Sequence, residues 1–275
     1  MIVRSTARLD SGHRGARPHV RHLIRAAAHL ALLLGFDELY ELGRGLIPVD
    51  RAVALRDGLA VVALEKRWRL FDEWRAQAFV LRPAPWAVDP LTLAHHTLIP
   101  LLDGVYLYGH FAGTLVFLIW LFLRRPQHFA RVRDIFCVAT GLTLLIYLVF
   151  PMMPPRLMGA RMGLPRGDHL RDLVAPLLDG AAQHAQIGYN PYAAMPSLHI
   201  VWALIVGATL VVAGRRRAPR LLGVLYPALM LVTVAVTGNH LLLDAVGGAL
   251  VVAAATGIMR LLPAFLAPRR ADAAG

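Results

Sequence analysis

Leu241–Met259 reads LLLDAVGGALVVAAATGIM, an apolar run broken by one charge, Asp244. A helix crosses a membrane with about 20 such residues, because each adds about 1.5 Å and the hydrocarbon layer is about 30 Å thick. Four more stretches approach that length: Leu101–Leu123, Ile135–Phe150, Ile200–Ala213 and Leu221–Thr237. The third of these is long enough if its helix starts near Pro196. A sixth, Ala26–Ile47, is interrupted by Asp37, Glu38, Glu41 and Arg44. Across the 275 residues, 57% are hydrophobic and 17% charged, and the mean hydropathy is +0.55. Ordinary soluble domains run at about 45–50% apolar and about 25% charged. These values argue against a soluble globule and exclude disorder, while a lone Cys137 inside an apolar stretch excludes a disulfide framework. The expected fold is all-α: an integral membrane bundle of about six transmembrane helices.

A net charge of +12 would suit nucleic acid, yet the arginines and the single lysine, Lys66, fall in short clusters between apolar segments, so no nucleic-acid partner is expected. Cytoplasmic loops are enriched in Arg and Lys. Six Arg precede residue 26, four lie in Arg124–Asp134, four in Gly214–Arg220, and Arg260, Arg269 and Arg270 close the chain. Six crossings place all of these inside, with both termini cytoplasmic. They leave Arg44–Pro90, Pro151–His199 and Gly238–His240 outside. Arg44–Pro90 carries eight basic residues, against the rule. Its Leu64, Trp68, Phe71 and Trp74 recur at helical spacing while Lys66, Arg67, Arg69, Asp72, Glu73 and Arg75 take the other face, the pattern of an amphipathic helix lying in the membrane interface. Phe36 is followed by Asp37 and Glu38 with no small-residue cleavage site, so an uncleaved anchor is expected. The organisation reads as a cytoplasmic tail (1–25), one membrane-embedded domain (26–262) and a second tail (263–275). Ala249, Ala253 and Gly257 form a small-residue stripe that would let another helix approach.

Small polar residues are scarce. Outside the N-terminal tail the one serine is Ser197, and the two asparagines are Asn190 and Asn239. All three fall beside His199 or His240, where buried polar groups need a reason. In Tyr189–His199, YNPYAAMPSLH, Pro196 would begin a helix and leave the N–H groups of Ser197, Leu198 and His199 free for an anion; a simple cap in the headgroup layer fits the same spacing. In Thr237–Asp244, TGNHLLLD, His240 and Asp244 are four apart on one helix face. The carboxylate can hold one ring nitrogen and leave the other as nucleophile or base; a structural ion pair is the alternative. In Pro151–Arg156, PMMPPR, three prolines end a helix and fix Arg156, whose planar fork suits a phosphate or lipid headgroups. No cysteine or clustered hard-oxygen set points to a metal, and no cofactor is expected. Together these groups fit metal-free phosphoryl transfer. His240 attacks phosphorus, Asp244 steadies the imidazolium, and His199 protonates the leaving oxygen.

These residues resemble the type 2 phosphatidic acid phosphatase superfamily, whose segments are Lys/Arg-Pro, Pro-Ser-Gly-His and His-x-x-x-Asp. Here the second reads Pro196-Ser197-Leu198-His199 and the third Gly238-Asn239-His240 to Asp244. The resemblance covers residues 100–260. It implies His240 as nucleophile through a phosphohistidine, Asp244 as its orienter, His199 as acid, and Arg156 and Ser197 as phosphate ligands. The family's Arg six residues before the nucleophile is Val234 here, and its Lys has no counterpart near Arg156. Leu198 and the Pro-Pro-Arg segment resemble instead the branch that holds the fungal inositol-phosphorylceramide synthases, which implies head-group transfer as readily as hydrolysis. His110 in the Leu101–Leu123 helix, with Asp103 seven residues earlier, and Arg161 and Arg166 are candidates to complete the phosphate site; Asn190 and Asn239 join the same set, and a core histidine is the plain reading of His110.

The expected enzyme works on a lipid phosphate or phospholipid at the outer face of a cell membrane, with water, a polyol or a lipid alcohol as acceptor. Consistent substrates are phosphatidic acid, polyprenyl phosphates and pyrophosphates, and inositol or sugar phosphates on lipid carriers. The Arg, Ala and Leu bias points to a GC-rich bacterial genome. The competing reading from another class is a non-catalytic transporter using His110, Asp103, His240 and Asp244 as an ion path, although no inverted repeat supports it.

Overall fold

The computed structural model describes residues 38–40, 42–48, 50–81, 101–164 and 190–266, together with positions 28, 31, 35, 98 and 170. Internal contacts divide the chain into Met1–Glu38 and Leu39–Gly275, and the candidate site lies wholly within the second unit. Most of the expected first helix, and Arg166, fall outside the described residues.

Among the described residues, eight α-helices follow residue 50. α1 (Arg51–Trp68) and α2 (Glu73–Leu81) form a short pair. α3 (Leu101–Arg124) and α4 (Pro126–Val149) come next, then the single turn α5 (Pro155–Met158). α6 (Leu198–Ala213), α7 (Arg217–Val236) and α8 (Leu242–Leu266) complete the series. Four helices, α3, α4, α7 and the Leu242–Leu262 part of α8, are long and apolar enough to cross a membrane. α6 is apolar but has 16 residues, about 24 Å of helix. The protein is an all-α, multi-pass membrane bundle. Among the described residues the one extended pairing is an isolated bridge between Met152 and Ala193.

α6 is the central helix, packed against α3, α4, α7 and α8. Its contact with α7 is closed by two glycines. A Cβ on Gly207 would lie 2.4 Å from the Gly223 carbonyl oxygen, and one on Gly223 2.6 Å from that of Gly207. Gly207→Ala should therefore destabilise the fold by about 1–3 kcal/mol through overpacking. The check is the melting temperature in detergent, and an unchanged value would show that the helices can part there. The Ala249–Ala253–Gly257 stripe is not used in this way. Both alanines are exposed, and a Cβ on Gly257 would meet nothing within 4 Å. The close approach on α8 is instead at Gly248, where a Cβ would lie 3.1 Å from the Ser197 carbonyl.

The segment expected to be one amphipathic helix is two. Asp50 caps the start of α1, its Oδ1 accepting from Ala52 N at 2.7 Å. α1 stops at Arg69, which takes a left-handed conformation (φ 58°) and lets Leu70 N reach back to the Glu65 carbonyl at 2.8 Å. Leu64 and Trp68 stay exposed, whereas Glu65, Glu73 and Gln77 turn inward. α1 packs under a methionine-rich segment, with Ala54, Val61 and Val62 sharing a core with Met152, Met153, Met158, Leu241 and Leu243. Lys66 Nζ donates to the carbonyls of Met162 and Gly163 and ties α1 to the turn after α5. The described parts of all three segments read as external thus gather at one end of the bundle.

Candidate active site

His240 sits in the turn between α7 and α8. Gly238, at φ 68°, makes the turn, and the N–H groups of Asn239 and His240 both donate to the Val234 carbonyl, at 3.1 and 3.2 Å. That geometry aims the ring of His240 at Asp244, with Nδ1 3.2 Å from Oδ2. The same Oδ2 accepts from Leu241 N at 2.9 Å. His240 and Asp244 are 4% and 0% exposed, so the carboxylate is fixed from two sides in a site nearly closed to water. The Ala194 carbonyl also meets the ring, and the nitrogen away from Asp244 is the candidate for chemistry.

His199 opens α6 from the other side. The helix begins two residues later than Pro196 would set it: Ser197 is the cap and Leu198 the first helical residue. Ser197 N is consequently not free, since it donates to the Asp244 carbonyl at 3.1 Å. Its hydroxyl is different: Oγ is buried and has no hydrogen-bond partner. The His199 ring stacks on Tyr106 at 4.2 Å and stands 6.1 Å from the His240 ring, centroid to centroid. Its hydrogen-bond acceptor is the Tyr106 carbonyl. Tyr106 lies in a π-helical turn, Val105–Gly109, at the start of α3, a widening of the kind that recurs at functional sites.

Arg156, in α5, is fixed by main chain and side chain. Its N–H donates to the Gly238 carbonyl and its Nε to Asn239 Oδ1, both at 2.9 Å. Asn239 Nδ2 in turn donates to Thr237 Oγ1 at 2.8 Å, and that hydroxyl to the Thr233 carbonyl at 2.7 Å. Asn239 therefore orients the guanidinium. His110 reaches the same cluster. Its Nδ1 lies 2.7 Å from the Tyr226 hydroxyl, its ring 5.0 Å from that of His199, and its Nε2 is buried without a partner. The π turn falls between Asp103 and His110 and changes the seven-residue register read from the sequence.

With this arrangement in place, residues 72–258 match the family model of the PAP2 superfamily. The chain belongs to the PAP2 superfamily. No curated protein and no solved structure matches it. Membership supports an enzyme of the phosphatase or phosphotransferase kind, acting on lipid phosphates. In this superfamily member, His199, His240, Asp244, Ser197, Arg156, Asn239 and His110 lie in one cluster. Asn190 and Arg161 are placed differently. Asn190 builds the loop: Nδ2 donates to the Arg44 carbonyl at 3.2 Å and Oδ1 accepts from Tyr192 N at 2.9 Å. Arg161 is exposed in the Gly159–Met162 turn, and among the described residues no contact joins it to either histidine.

Three groups at the PAP2 site escape sequence reading. Arg44, read only as a charge interrupting an apolar stretch, stands close enough for its charge to act on His199 and Tyr147, with its guanidinium 5.8 Å from the Tyr40 ring. Tyr147 donates to the Pro196 carbonyl at 2.8 Å and fixes the residue before Ser197. Trp202 donates to Thr140 Oγ1 at 3.0 Å and holds its indole 6.0 Å from the His110 ring. Neither aromatic stands out by spacing from ordinary core residues.

Burial pushes the His240 imidazole down to about 4; the Ala194 carbonyl opposes the shift and the Arg156 charge adds to it. Protonation removes the lone pair, so the reactive form exists above that value. On an aryl phosphodiester, whose charge does not titrate in this range and whose leaving group needs no proton from His199, kcat/KM should be level from about pH 7 to about pH 5 and fall about tenfold per unit below about pH 4. An acid limb at the ordinary imidazole value would mean that the ring is open to water.

Proposed function

We propose that this protein transfers a phosphoryl group from a lipid phosphate or phosphodiester, with His240 as nucleophile. The observation that carries the reading is the buried His240–Asp244 pair 6.1 Å, ring to ring, from His199 and beside the partnerless hydroxyl of Ser197. The ring nitrogen away from Asp244 forms a bond to phosphorus as the bond to the leaving oxygen breaks. Asp244 stabilises the imidazolium left on His240, and a proton from His199 goes to the departing oxygen. The phosphate's own charge favours the protonated form of His199 while it is bound. Arg156, held by Asn239, and the Ser197 hydroxyl bind the non-bridging oxygens. Arg44 supplies the second positive charge in a site where Val234 offers none. His110, backed by Tyr226, lines the His199 side. The phosphohistidine is then resolved by water or an acceptor alcohol.

An apolar cavity of about 330 Å³ beside Pro196, lined by Leu142, Ile146, Phe150, Gly247 and Leu250 among others, supports a substrate with a hydrocarbon tail. The arginine distribution supports a site on the outer face of the cell membrane. Pro154-Pro155-Arg156 and Leu198 favour the head-group transferase branch, with a polyol such as inositol as acceptor. The test is a mass-spectrometric product inventory. Purified wild type and His240→Ala are each given phosphatidic acid, polyprenyl phosphate and phosphatidylinositol, with and without inositol. A new head-group lipid made only with acceptor establishes transfer, and free phosphate without it establishes hydrolysis. Equal product from both proteins would overturn the mechanism.

A further inference from the structure

Three polar side chains of the α1–α2 pair point inward: Glu65, Glu73 and Gln77 are 0%, 4% and 1% exposed. Each meets an end of a spanning helix. Gln77 Nε2 donates to the carbonyl of Val236, the last residue of α7, at 2.9 Å. Glu73 Oε1 accepts from Leu242 N at 2.8 Å, and Glu65 Oε1 from Leu243 N at 2.6 Å, the first two residues of α8. These N–H groups have no partner within the helix and sit at its positive end, where a carboxylate is favoured. The second oxygens, Oε2 of both glutamates, are buried without a hydrogen-bond partner, and the two carboxyl groups stand close enough for each to act on the other's charge. Two neighbouring carboxylates in a buried site cannot both be ionised, so the pair keeps a proton.

We propose that Glu65 and Glu73, two carboxyl groups holding one proton between them, are the positioning residues of the nucleophile: they clamp the first turn of α8 and thereby set Asp244 against His240. The inference rests on the reading of His240 as nucleophile. Asp244 is the third residue of α8, and the turn that Leu242 and Leu243 anchor also carries the Leu241 N–H and the Asp244 carbonyl that holds Ser197. Neither glutamate contacts the reacting groups; each acts through the helix end. The other charges that reach the pair are Asp244 on α8 and Asp72 ahead of α2, both acidic. Burial and Glu73 together raise Glu65 to about 9. Alkali therefore puts a second negative charge next to Asp244 and loosens the clamp.

Full-length protein in detergent tests this with Glu65→Gln and Glu65→Leu. Infrared spectra in heavy water read the proton directly. The wild type should show a carboxylic-acid carbonyl band at neutral pH that titrates away near 9, and Glu65→Gln should lack it. Glu65→Leu should lower kcat about 30- to 100-fold with KM within about threefold, the effect of a small displacement of reacting groups. Glu65→Gln keeps an acceptor for Leu243 and places a permanent N–H where the shared proton was. It should retain kcat within about fivefold and lose the alkaline limb of the rate profile. A wild-type spectrum without the band overturns the shared proton. Wild-type kcat in Glu65→Leu overturns the positioning role, and if that variant does not fold, an alkaline limb persisting in Glu65→Gln does so. Turnover that survives His240→Ala defeats the nucleophile assignment alone and leaves the infrared result standing, so the two failures are distinguishable.

Discussion

Replacing His240 with alanine should abolish turnover, by about ten-thousand-fold or more, while leaving lipid-phosphate binding within about threefold of the wild type. The size follows from chemistry. Removing the nucleophile removes the covalent route altogether, and what survives is whatever Arg156 and Ser197 contribute by holding the phosphate. Binding survives because the guanidinium is fixed by Asn239 and Gly238, not by the imidazole. Rapid-quench labelling with a radioactive phosphate ester gives a second reading: acid-labile, base-stable label on the wild-type protein and none on His240→Ala. Persistent turnover in the variant would transfer the nucleophile's role to water or to His199.

His199→Ala should have the next largest effect, and its size should depend on the substrate. General acid catalysis contributes about 10²- to 10⁴-fold, and only where the departing oxygen needs a proton. For an alkyl leaving group such as glycerol or a polyprenol the loss should be about a thousandfold. For an aryl leaving group that departs as a stable anion it should be below about tenfold. The stacking of His199 on Tyr106 and its bond to the Tyr106 carbonyl fix the ring 6.1 Å from that of His240, centroid to centroid, within reach of a leaving oxygen on the phosphorus between them. Equal losses for both substrates would make His199 a phosphate ligand and not the acid.

The bundle was legible because its signal is additive: runs such as Leu101–Leu123 and Leu241–Met259 repeat the same apolar message over many residues. The cluster at Ser197, His199, Asn239, His240 and Asp244 was legible for the opposite reason, since polar residues are rare in this chain. What escaped depends on partners far away in sequence. Glu65 and Glu73 look like the wet face of an amphipathic helix, and only main-chain donors at Leu243 and Leu242 make their burial favourable. The break at Arg69 was hidden because a left-handed arginine carries none of the glycine signal that normally marks a helix end. The small-residue stripe on α8 misled in the same way. Spacing shows that a close approach is possible but does not name the neighbour, and the approach occurs at Gly207, Gly223 and Gly248 instead.

The glycine-to-glycine crossing of α6 and α7 also bears on how the protein lives in its solvent. His199 is the second residue of α6 and His240 follows the end of α7, so both rings are carried by one hairpin whose arms cannot slide past each other without breaking the contact at Gly207 and Gly223. Thinning or thickening of the bilayer is taken up by helix tilt. Tilt of the bundle leaves the gap between the two imidazoles unchanged, because that gap belongs to the hairpin. A catalyst that consumes the lipids around it changes the thickness and lateral pressure of its own surroundings as it works, and this crossing makes the spacing of its histidines independent of that history.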